Sequence, residues 1–262
     1  MNLVHRFYSD YLLPSRISEY DQILRSALDK GYNHLTLPEF RSLVMSGKLD
    51  SNSRLFLHRH DIDTDIATAR MLFNIEKKYG IRASYYFRLS TLDFKLMKEI
   101  KEYGSEVGYH YEEIAAYCKF YGIKDSNTVT TRFDDIRENF MKNLAIVEKG
   151  CGFKIRSIAS HGDFVNRRLG VSNHYFIDSE FLSSNGIDFE CYDPKLISKY
   201  SIIISDAPYP KFYIPVDPLK VINDGHQVIY MLTHPRHWRA SVHVNIKDNI
   251  LRIWEGLKYK FS

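Results

Sequence analysis

Short apolar runs alternate with helix-length amphipathic stretches along this chain, and the alternation confines it to a mostly parallel sheet wrapped in helices. The strand candidates are residues 54–60, 83–89, 106–112, 155–163, 201–208 and 226–235. Between them, Ile66, Ala69 and Phe73 recur at helical spacing before Tyr79 and Gly80. Leu92, Leu96, Ile100 and Tyr103 do the same before Gly104. A longer stripe from about residue 129 holds Phe133, Ile136, Phe140, Leu144 and Val147. A short helix is expected near residues 218–223, and a final one carries Ile246, Ile250, Ile253, Trp254 and Leu257.

The first 50 residues read as helical. Ser18, with Asp21 three residues on, is a candidate cap, and Thr36-Leu-Pro-Glu39 has capping-box spacing with proline in the first turn. We read residues 1–262 as a single domain, with 1–50 a helical extension and 51–262 an α/β barrel of ordinary size. Periodicity alone leaves a doubly wound sheet open.

Composition narrows the partners. With 44% apolar and 26% charged residues the chain has the makings of a sizeable core. Its net charge of +4 comes without a Lys/Arg run, so nucleic acid is not an expected partner. Cys118, Cys151 and Cys191 show no C-x-x-C spacing, which argues against a thiolate zinc site or disulfide framework and for reduced thiols. Neither a signal-peptide core nor a membrane-length apolar run is visible, and a cytoplasmic protein without a membrane span is expected.

The strand candidates share an ending. "RLFLHRHDIDTD" runs from apolar residues into His60, Asp61 and Asp63; "EVGYHYE" delivers His110 and Glu112; "SIASHGD" delivers His161 and Asp163. "SIIISD" ends in Asp206 and "VIYMLTHP" reaches His234. In parallel α/β architectures sites are built at that C-terminal edge, where strand ends and following loops converge. One such residue means little; five runs ending in carboxylate or imidazole point to one polar site. Neutral imidazole with carboxylate suits a divalent cation, zinc above all. Catalysis then needs a base for the water and an acid for the leaving group.

At these residues the sequence resembles the polysaccharide deacetylase superfamily (NodB homology, carbohydrate esterase family 4). Within it, the chain is most similar to the divergent branch found with surface-polysaccharide and O-antigen biosynthesis. "RHDIDTD", "GIRASYYFRL", "GSEVGYHYE", "SIASHGD", "GIDFECYD", "ISDAP" and "LTHPRHW" follow the family's order over roughly residues 54–240. The resemblance implies a deformed, incomplete (β/α) barrel of about seven strands that removes an N-acetyl, sometimes O-acetyl, group with a divalent metal. It makes Asp61 the base, Asp63 and His110 metal ligands, and His234 of Leu232-Thr233-His234 the general acid. The substrate implied is an acylated sugar, nucleotide sugar or lipid-linked glycan.

Two departures stand out. Where the family places a second histidine four residues after the first, this chain has Ile114. His161 is the favoured third ligand and Glu112 the runner-up, since a continuing strand would point Glu112 the same way as His110. The Arg/Pro-containing third motif is also missing, with "SHGD" in its place. Tyr109, Tyr111 and Trp238 are candidates for stacking on a sugar ring, and Asp206 for binding substrate, with His60 and Asp163 in support. Three other readings stay open: hydrolysis of an O-acetyl ester or small amide, a D-x-D glycosyltransferase using Asp61 and Asp63, and a non-catalytic relative.

Overall fold

The computed structural model describes residues 2–50 and 52–262. Nine strands form one sheet: β1 (Asn33–Leu35), β2 (Leu55–Ile62), β3 (Ser84–Phe87), β4 (Glu106–Tyr111), β5 (Ser157–Ser160), β6 (Phe189–Glu190), β7 (Ile202–Asp206), β8 (Tyr213–Ile214) and β9 (Val228–Thr233). Their spatial order is β6-β5-β4-β3-β2-β9-β7-β8, with β1 beside the start of β2. Every neighbouring pair is parallel except β7 with β8. The sheet has open edges at β6 and β8, so the architecture is an α/β barrel that does not close.

All eight residues of β2 are buried, because helices cover its outside and other strands face its inside. Side-chain alternation then sorts the residues. Leu57, Tyr86, Ala159, Phe189, Cys191 and Tyr230 pack together in the barrel interior. Tyr85, Phe87, Tyr109 and Tyr111 lie in the outer layer against Phe73, Leu96, Ile136 and Phe140. Gly108 is needed on β4: a Cβ there would collide with the Tyr86 ring and the Ser157 carbonyl.

The N-terminal region differs from the expectation in two places. A strand, β1, interrupts its helices; at three residues it is too short for periodicity to reveal, and pairing with β2 creates it. Ser18 is not a cap, since helix Ile17–Asp29 starts one residue earlier with Arg16 at its N-cap. The Thr36 capping box does form: Thr36 Oγ1 accepts from the Glu39 amide at 3.4 Å, and Glu39 Oε2 accepts from the Thr36 amide at 2.9 Å. Cys118, Cys151 and Cys191 are buried and unpaired. Among the described residues no helix is long and apolar enough to cross a membrane.

Candidate metal centre and cleft

The ends of β2, β4 and β5 bring Asp63, His110 and His161 together, with one donor atom of each within 4.8 Å of the others. His110 Nε2 lies 3.2 Å from Asp63 Oδ1, and His161 Nε2 lies 3.5 Å from the same oxygen. His110 Nδ1 is 2.9 Å from the Ala159 carbonyl, which can only accept, so Nδ1 carries the proton and Nε2 presents a lone pair. Asp63 Oδ1 is buried with no hydrogen-bond partner, a costly state for a carboxylate oxygen unless a cation takes it up. Burial opposes its charge, yet the positive charge of His161 outweighs that and holds the Asp63 carboxyl well below the usual range. The donor set and the orphaned oxygen fit a divalent ion.

Glu112 stands behind this cluster. β4 ends at Tyr111 and the backbone turns at Glu112 (φ −143°, ψ 30°), so the strand alternation that would have aimed it with His110 does not continue. Arg88 Nη2 donates to both its oxygens at 2.7 and 2.8 Å. Glu112 Oε2 is 3.3 Å from His161 Nδ1, close enough for an ion pair but without hydrogen-bond geometry. It is therefore placed to orient His161 from the side away from Asp63, as carboxylates behind metal-bound histidines do. Ile114 is fully buried in the outer layer, far from a ligand's position in the barrel mouth.

Asp61 points into the barrel beside this cluster, with Oδ2 at 3.4 Å from His110 Nε2. Its carboxylate is gripped by Arg59, whose Nε and Nη2 donate to Oδ1 and Oδ2, each at 2.7 Å. Arg59 itself is 1% exposed, donates to the Tyr230 hydroxyl at 3.1 Å and lies over the Tyr86 and Tyr192 rings. Sequence reasoning missed Arg59, although it stands two residues before Asp61 and so shares its strand face. The fork occupies one lone pair on each Asp61 oxygen and leaves Asp63 as the aspartate of the pair without an arginine partner, an arrangement that favours a single-aspartate metal site over the D-x-D reading.

A second group forms where β7 and β9 end. Asp206 accepts from His234 Nδ1 at 2.7 Å, His237 Nδ1 at 3.0 Å, Trp238 Nε1 at 2.8 Å and the His234 amide at 2.6 Å. Asp206, His234 and His237 also lie close enough to hold an ion. Four donors already saturate this carboxylate, however, so its chemistry is that of an anchor for His234. Burial works against charge on His234, and Asp206 outweighs it, raising the imidazole from 6.5 to about 9. His237 was also missed, though it lies three residues past His234 in "LTHPRHW".

Several expected contacts fall elsewhere. Tyr109 and Tyr111 flank His110 on β4 and so face away from it, into the outer core; neither ring can stack on a sugar. Trp238 is fully buried against Tyr20 and serves Asp206. Asp206 has no lone pair left for substrate. His60 also faces outward, where Nε2 meets Glu76 Oε1 at 2.6 Å in a buried group with Tyr20 and Tyr85. Asp163 caps helix Phe164–Leu169 and pairs with Lys119 at 3.1 Å, at the cleft margin.

The cleft opens on Asp63 from two sides. One wall holds His234, Arg236 and His237 with Ser9 and Asp10 of the N-terminal segment; the other holds Arg88, His161 and Arg252. No protein-family profile and no curated protein matches the sequence. Among solved structures, IcaB from Ammonifex degensii is 19% identical over 68% of this chain and 78% of its own, with a TM-score of 0.47. BA3943, a CE4 family pseudoenzyme from Bacillus anthracis, is 14% identical over 78% of this chain and 63% of its own, at 0.44. The peptidoglycan deacetylase PdaC from Bacillus subtilis is 14% identical over 78% and 87%, at 0.42. All three TM-scores are below 0.5, and these likenesses carry no functional argument.

Proposed function

We propose that the protein is a metal-dependent hydrolase that removes an acyl group, N-acetyl first, from a sugar used in surface-polysaccharide or O-antigen biosynthesis. The observation that carries this reading is the convergence of His110 and His161 on Asp63 Oδ1, a buried oxygen that accepts no hydrogen bond. These three would hold the ion, zinc by its preference for imidazole and carboxylate. Bound there, it would supply a Lewis acid for the acyl carbonyl and a water of lowered pKa.

The chain's own groups cover the proton transfers. Asp61 takes the proton of the attacking water; Arg59 keeps both its oxygens in one orientation, and each retains a second lone pair. His234, protonated at neutral pH and held through Nδ1 by Asp206, has Nε2–H to give to the departing amine as the C–N bond breaks. Products are the free sugar amine and the carboxylate.

Acetate release from a panel of N-acetylated sugars, nucleotide sugars and lipid-linked saccharides tests the reading. Release that is abolished by a chelator and restored by zinc is expected. Sugar transfer from a nucleotide-sugar donor without acetate release would overturn it.

A further inference from the structure

Apart from Ile253, which reaches the cleft edge, the cleft does not account for the outer face of the last helix, Val242–Phe261. Ile246, Ile250, Ile253, Trp254, Leu257 and Phe261 are between 44% and 78% exposed. At 3.6 residues per turn these six fall within an arc of roughly 100° on one side of the helix. A face this apolar on a helix packed by its opposite side signals a partner.

Charge around that face has one sign. Lys247 and Lys258 lie along one edge and Lys260 along the other, all exposed. The helix's two acids are turned away: Asp248 pairs with Arg236 and Arg252, and Glu255 with Lys119. Trp254 sits at the boundary, with Lys258 Nζ 5.3 Å from its ring centroid. The N-terminal helix Leu3–Phe7 extends the surface with exposed Leu3, Val4 and Phe7. Arg6 joins it to Asn249 at 2.9 Å.

We propose that this face docks on an anionic lipid bilayer. An apolar stripe edged by lysines, with tryptophan at the border, is the pattern that lies in the headgroup region, apolar side down. Pairing with a second copy would set lysine rows against each other with no acid to meet them. Lipid phosphates supply the missing charge. Leu251, Arg252 and Ile253 of the same helix line the cleft beside Asp63, so docking brings the cleft mouth to the lipid surface.

Sedimentation with phosphatidylcholine vesicles, with and without phosphatidylglycerol, tests it, read alongside tryptophan emission. The chain has two tryptophans, of which Trp238 is buried and Trp254 is 58% exposed, so a blue shift reports Trp254. Binding to the anionic vesicles with a blue shift is expected, weakened by salt. Replacing all three lysines (K247Q, K258Q, K260Q) should cost roughly 100-fold in affinity at about 1 kcal/mol per lysine. I250D with I253D should abolish binding while circular dichroism and Tm stay as in the wild type. No binding by the wild-type chain overturns the proposal. So does a concentration-dependent dimer in ultracentrifugation that blue-shifts Trp254 without lipid.

Discussion

His110 Nε2 lies 3.2 Å from Asp63 Oδ1, although β2 and β4, which carry them to that point, are separated by β3. The barrel's curvature brings the two strand ends to one place, and His161 arrives from β5. A catalytic reading of the cleft follows from what stands around that meeting point.

Asp61 and Asp63 should separate cleanly by mutation. Asp61→Asn should reduce turnover at least about 100-fold while zinc stoichiometry, read by elemental analysis after dialysis, is unchanged. Loss of zinc together with activity would make Asp61 a ligand.

Arg59 is the buried partner that Asp61 requires. Arg59→Leu leaves a carboxylate unpaired in the interior and should destabilise the fold by about 3–5 kcal/mol in urea unfolding. Adding Asp61→Leu should restore much of that stability without activity. A single variant as stable as the wild type would show that the pair contributes little.

As the proposed general acid, His234 should matter in proportion to how poor the leaving group is. His234→Ala should slow amide hydrolysis by about 10²–10⁴-fold and hydrolysis of an activated aryl ester far less. Equal losses on both substrates would remove it from the acid's role.

The alkaline side of the pH profile follows from the same residue. With His234 raised from 6.5 to about 9, activity should hold at neutral pH and fall as pH rises through about 9. The stability gained from its bond to Asp206 has the same sign, full below 6.5 and lost through about 9. Asp206→Asn should move the alkaline limb of kcat/KM towards 6.5. A limb that stays in place would mean that another group sets it.

Much of this site was legible, and the reasons are particular. The strand ends named Asp63, His110, His161 and His234 because a parallel sheet gathers such residues at one edge. Alternation on β4 also decides against Tyr109 and Tyr111 once His110 is taken to face inward. What could not be read was termination: Glu112 shares His110's parity, but the strand stops before it, and Arg88 then claims it. Trp238 and Asp206 look like cleft residues in sequence, and only the fold shows them bonded to each other. Strands β1 and β8 exist through pairing alone.

Tyr109 and Trp238 therefore behave differently from substrate contacts. Tyr109→Phe removes the hydroxyl bonded to buried Glu113 at 2.6 Å and should lower Tm while KM is unchanged. Trp238→Phe, by loosening Asp206, should lower kcat more than it raises KM. A KM increase of about tenfold or more in either variant would return that ring to the substrate.

An anomalous difference map at the zinc edge would show which side chains hold the ion. One ion is expected about 2.0–2.2 Å from an Asp63 oxygen, His110 Nε2 and His161 Nε2. An ion held instead by Asp206, His234 and His237, or no ion from zinc-soaked crystals, would contradict it.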